Sequence, residues 1–242
     1  MVTTEIASIK CTPNYDGSER PLADALLREG QFDEARNVMK AALDALPLEE
    51  VDERLACLTL LCKVERGDGN LYEALRILTE TYPLSKQASS HQLRAKFHNC
   101  LGVTYKQIAE TAPLPAYFDK SLSEYQETRF HLEEAGDREG AGYVENNVAM
   151  VLCELGRTTE AREHLERARS YFAGQPVKLA EIDETTARIC LKECKSLEAL
   201  SYALDANRVF IQHGEKRLLD DSIRTLLKAA ADYQAQGDSK TL

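Results

Sequence analysis

The stretch that most constrains this chain runs from Tyr143 to Ala168. Val144, Val148, Val151, Leu152 and Leu155 recur at three- and four-residue steps, which places them on one face of a helix. Gly156 can adopt left-handed backbone and end that helix without steric cost. Thr158 or Thr159 can then cap a second helix, whose inward stripe is Ala161, Leu165 and Ala168. The small Ala149 and Ala161 let two antiparallel helices approach closely. Such a hairpin cannot cover both of its apolar faces alone, so it needs neighbours of the same kind.

Those neighbours are in the sequence. Residues 1–16 read as a polar N-terminal arm, and 17–242 as a single helical repeat domain. A first pair places Leu22, Leu26 and Leu27 in one helix, turns at Gly30, and carries Phe32, Ala35, Met39, Ala42 and Leu46 up to Pro47. A second pair turns at Gly67-Asp68-Gly69, with Asn70 as the cap, Glu73 in the reciprocal capping position and Pro83 closing it. The third carries Leu101, Gly102 and Tyr105, then an enlarged turn at 110–118, where Pro113 and Pro115 forbid a continuous helix. That segment is either a tolerated loop or a partner contact. Tyr143–Ala168 is the fourth pair. The fifth spans about 178–213, with Cys194 in the turn position that holds glycine elsewhere and Ser196 as its cap. A last helix with a polar outer side, LLDDSIRTLLKAAADYQAQG, closes the array.

The order Ala149, Leu152, Gly156, Ala161, Leu165, Ala168 resembles the tetratricopeptide (TPR) pattern, with Val148 in the leucine slot and Glu145 in the tryptophan slot. The chain has no Trp at all. The alanine-equivalent slots are Ala35, Ala74, Ser121, Ala161 and Ala199, spaced by 39, 47, 40 and 38 residues. These exceed the ~34 residues of the compact repeat and resemble the longer-repeat subset of bacterial signalling and regulatory proteins. The resemblance implies an all-α, right-handed α-solenoid of about five antiparallel helix pairs plus a C-terminal capping helix. It implies a protein- or peptide-binding scaffold. The alternatives are a ligand or peptide sensor that controls an effector protein, and a self-assembling structural subunit.

Composition narrows the chemistry. The formal charge of -10 opposes general nucleic-acid binding, which needs a basic surface to neutralise phosphate. The seven cysteines contain no C-x-x-C and read as reduced, mostly buried thiols. Cys190 and Cys194 share a helix face, but no histidine stands near them in sequence to complete a metal site. The five histidines, His91, His98, His131, His164 and His213, fit no metalloprotease or hydrolase motif, and no phosphate- or dinucleotide-binding fingerprint occurs. The expectation is therefore no enzyme, no metal and no cofactor. No apolar run reaches the ~20 residues of a membrane span and the N-terminus lacks a signal-type segment, so the chain is expected to be soluble and cytoplasmic.

Binding is expected on the face lined by the first helix of each pair. The register points there with Lys63 and Arg66 in the second pair, and with Lys96, Asn99, Val103, Lys106 and Gln107 in the third. In the fourth it points with Tyr143, Asn146 and Met150, and in the fifth with Arg188. Asn99 and Asn146 occupy matching positions. Amides both donate and accept, so they either hold an extended peptide backbone, as the resemblance implies, or bond within the array. Lys63, Arg66, Lys96 and Lys106 either form a basic lining that selects an acidic peptide or carboxylate terminus, or are a solvated charged face. Arg188 can pair with Glu184 four residues away. Val103 sits where the carboxylate clamp of chaperone-binding relatives has asparagine, so that specificity is not carried over.

Overall fold

A computed structural model describes residues 15, 17–112 and 114–238. Among these residues there are eleven α-helices and no strand. They are α1 (Glu19–Arg28), α2 (Phe32–Ala45), α3 (Val51–Gly67), α4 (Leu71–Ser85), α5 (His91–Thr111), α6 (Pro115–Ala135), α7 (Arg138–Glu154), α8 (Thr158–Tyr171), α9 (Pro176–Lys192), α10 (Ser196–His213) and α11 (Lys216–Asp238). Each odd helix from α1 to α9 packs against the even helix that follows it, and α11 packs on α9 and α10. The fold is the expected all-α array of five helix pairs and one further C-terminal helix. The chain divides into two compact units, one ending at Ala135 and the other beginning at Gly136. The expected N-terminal arm, apart from Tyr15, lies outside the described residues.

The small slots explain why the pairs close. Ala35, Ala74, Ser121, Ala161 and Ala199 are all fully buried, and so are Ala23, Cys62, Ala149 and Ala187 on the facing first helices. Each removes bulk where two helix backbones meet. At Gly102 and Gly142 a side chain would run into a buried aromatic ring. A Cβ on Gly102 would sit 2.8 Å from the Tyr125 ring, and one on Gly142 would sit 2.7 Å from Phe172 and 2.9 Å from the Tyr171 Cβ. Cys194 takes left-handed backbone (φ 59), as its place in the glycine slot predicts.

The slot that holds tryptophan in the TPR pattern is filled by ionisable residues in successive pairs. Glu145 of α7 is 4% exposed. It accepts from His164 Nδ1 at 2.7 Å and from Arg167 Nε at 2.9 Å, both on α8. Burial alone would raise its carboxyl, but His164 and Arg167 outweigh that and hold it below the usual carboxylate range. Its counterpart on α5 is His98, whose Nδ1 lies 2.7 Å from Glu124 Oε2 on α6. On α3 the same slot holds Leu58, which packs against the core of the first unit.

Several local expectations give way to tertiary contacts. Asn70 makes no side-chain cap; its amide donates to Glu65 and Asp68, both at 3.0 Å. Glu65 is buried and needs those donors together with Arg36. Glu73 pairs with Arg76 rather than with the helix N-terminus. Ser196 and Thr158 are the first helical residues rather than caps; the Ser196 hydroxyl donates to Gln236 of α11 at 2.8 Å. The enlarged turn expected at 110–118 is mostly helix. α5 continues to Thr111 and α6 begins at Pro115, because a proline in the first helical position gives up only an N–H that has no intrahelical partner there. Pro83 lies inside the last turn of α4 rather than beyond it. The outer side of α11 is not uniformly polar, since Ile223, Leu227 and Tyr233 are exposed.

Candidate functional site

In the first unit α1, α3 and α5 lie side by side, with α3 touching both of the others. Side chains two turns apart on such helices share one face. They line a cavity of about 400 Å³ whose walls include Arg20 and Asp24 of α1, Thr59 and Lys63 of α3, and Leu93 and Lys96 of α5. Arg20 is held by Glu53 at 3.0 Å, and Asp24 by Arg28. Among the described residues neither Lys63 nor Lys96 has an ion-pair partner, and Lys96 is exposed. Two cations thus face a cavity without local neutralisation, in a protein whose formal charge is -10.

The other expected residues of this unit divide in two ways. Lys106 is half-buried and engaged by Glu110 at 3.3 Å. Arg66 turns partly inward: its Nε and Nη1 are buried without an acceptor among the described residues, and its charge opposes the burial-driven rise of the Cys62 and Cys100 thiols. Gln107 likewise has a buried Oε1 without a donor. Val103 and Asn99 are half-buried, and Asn99 is engaged with another group.

In the second unit α7, α9 and α11 are likewise neighbours. Here the basic residues are neutralised. Arg188 and Lys192 both donate to Glu154, at 3.3 and 2.9 Å. Glu184 accepts from Thr225 of α11 at 2.7 Å. The Tyr143 ring packs edge-on to Phe172 and carries the Lys178 ammonium 4.6 Å above it. Met150 is half-buried, and Asn146 has a buried Oδ1 without a donor among the described residues. The expected residues therefore fall in both units, with an unneutralised basic lining in the first.

Arg20 and Asp24 are wall residues that the leucine spacing of α1 does not signal. Of the six described cysteines, five are buried and all are free thiols. Burial pushes the five buried thiols up, Cys153 to about 11, which leaves little thiolate on them at neutral pH.

The pairing of each first helix with a second, the small residues at fixed slots and the side-by-side first helices together define the architecture. A thermophilic TPR protein from Thermus thermophilus superposes with a TM-score of 0.66 at 17% identity, over 87% of this chain and 98% of that one. The fold is a tetratricopeptide-like helical repeat. The kinesin light chain TPR-like repeats of Podosopora anserina share the TPR-like fold with a TM-score of 0.63 at 16% identity, over 84% and 98% of the two chains. A Rap protein, solved in complex with competence and sporulation factor, gives 0.61 at 14% identity, over 90% of this chain and 64% of that chain. No protein-family model matches this TPR-like sequence, and no curated protein does. Among the described residues no TPR-like helix is long and apolar enough to cross a membrane.

Proposed function

We propose that this chain is a non-catalytic binding scaffold whose first unit takes an extended acidic segment of another protein along α1, α3 and α5. The observation that carries this is the pair of unneutralised cations, Lys63 and Lys96, on the walls of the 400 Å³ cavity. A carboxylate entering there gains two charge-assisted hydrogen bonds, which are shorter and stronger than neutral ones. Arg66 adds to the field along α3. The Rap protein of similar fold was solved in complex with competence and sporulation factor, which supports binding as the use of such a fold. We place the scaffold in a bacterial signalling or regulatory complex in the cytoplasm.

The test is fluorescence anisotropy of the full chain with labelled peptides of equal length that are acidic, neutral or basic. The expected result is preference for the acidic peptides, weakening with salt, and at least a tenfold loss in a Lys63→Glu, Lys96→Glu, Lys106→Glu variant that keeps its circular dichroism. Equal binding by the variant, or preference for neutral peptides, refutes the reading.

A further inference from the structure

The histidines that form no motif in the sequence meet in space. His91 and His98 are seven residues apart on α5; Glu124, Glu127 and His131 are spaced by three and four on α6. Antiparallel packing brings the two sets together. One ligand atom from each of His98, Glu127 and His131 lies within 4.8 Å of the others. His98 and His131 are 6% and 7% exposed, whereas Glu127 faces solvent.

The surrounding hydrogen bonds decide which nitrogens are available. Glu124 Oε2 lies 2.7 Å from His98 Nδ1. An ionised carboxylate only accepts, so Nδ1 carries the proton and Nε2 keeps its lone pair. This is the carboxylate–histidine arrangement that orients a metal-binding imidazole and raises its basicity. His131 Nδ1 lies 3.0 Å from His91 Nδ1. One of these must donate, and when His131 does so its Nε2 is free as well. Two buried imidazoles and one exposed carboxylate then converge, each imidazole fixed from behind by a residue outside the set.

We propose that His98, His131 and Glu127 form a binding site for a borderline divalent cation of the zinc class, with Glu124 and His91 as positioning residues. Nitrogen and oxygen donors suit such ions, and three protein ligands leave the fourth tetrahedral position for water. Bonds of about 2.0–2.2 Å bring tetrahedral donors to about 3.4 Å from one another. The cluster therefore closes by at most about 1.4 Å on loading, and Glu127, exposed and unbranched, can supply most of that movement. Zinc then cross-links α5 to α6 in the first unit. The site is distinct from the peptide face and does not depend on it.

The experiment is calorimetric titration of the full chain with zinc chloride, paired with cobalt(II) spectra. The expected result is one saturable ion per chain and a cobalt spectrum without thiolate charge-transfer bands. Glu127→Gln, a change at the surface, weakens binding more than tenfold; Glu124→Gln weakens it about 10–100-fold; Cys194→Ser leaves it unchanged. Absence of saturable binding overturns the proposal and leaves the cluster a hydrogen-bond network between two helices. Binding that survives both Glu127→Gln and His98→Gln overturns it too, as does a thiolate signature. If His98→Gln fails to fold, Glu127→Gln alone decides.

Discussion

Replacing Gly142 with alanine tests a close approach of α7 and α8 in the second unit. Gly142 lies inside α7, so helix propensity by itself favours alanine by about 1 kcal/mol. Packing opposes it. The new methyl would lie 2.7 and 2.9 Å from two Phe172 ring atoms and 2.9 Å from the Tyr171 Cβ. Phe172 is 1% exposed, so its ring has nowhere to turn. The Tyr171 Cβ is one bond from the α8 backbone and moves only with it. Such overpacking costs up to about 3 kcal/mol, for a net loss near 2 kcal/mol. In urea denaturation followed by circular dichroism, that loss lowers the midpoint of the second unit by about 1 M. Gly67→Ala is the control. Its methyl would meet only side-chain atoms, the nearest being a half-buried Phe32 ring atom at 2.7 Å, so it falls by less. A Gly142→Ala protein as stable as the wild type would show that α7 and α8 do not approach as described.

Three further outcomes follow from charged and strained positions. Glu145→Ala leaves His164 without its carboxylate and costs about 2 kcal/mol, discounted because Arg167 is largely exposed. Glu145 and Glu193 both titrate lower when folded; Arg162 chiefly, with Lys195, takes Glu193 from 4.5 down to about 2. Their stabilisation is complete above about pH 5 and lost as pH falls toward 2, so a pH series of urea midpoints in Glu193→Gln should decline less steeply than the wild type. Cys194→Gly relieves left-handed backbone at a non-glycine residue and raises the stability by about 1 kcal/mol; no gain would mean that the strain is offset elsewhere in that turn.

What was legible in the sequence was whatever the helix period and residue size decide together. The five alanine-equivalent slots are all buried, because a small residue recurring on an apolar stripe has one use: letting another helix near. Caps were not legible. A cap contributes about 1 kcal/mol, and a partner from elsewhere in the fold outcompetes it, as Glu65 does for Asn70 and Gln236 for Ser196. Lys63 and Lys96 line one cavity between first helices, but the neutralisation of Arg188 and Lys192 by Glu154 needs α7 and α9 to be adjacent, which no local pattern encodes. The histidine cluster was hidden for the same reason: the spacing of His91 and His98 shows one face, not what it faces.

The residues in the tryptophan slot also act on which helices can pair. His98 faces Glu124, while the equivalent positions one pair later hold Glu145 and His164, the same chemistry with its sign reversed. Glu127 and Arg167 are likewise inverted at the next equivalent position. If α5 folded back on α8, His98 would meet His164 and Arg167; if α7 took α6, Glu145 would meet two carboxylates. An identical aromatic in every slot would tolerate either exchange. Here these two hairpins each carry a lock that the other's second helix cannot open, so the pairing of these four helices is written into the chain as well as their number.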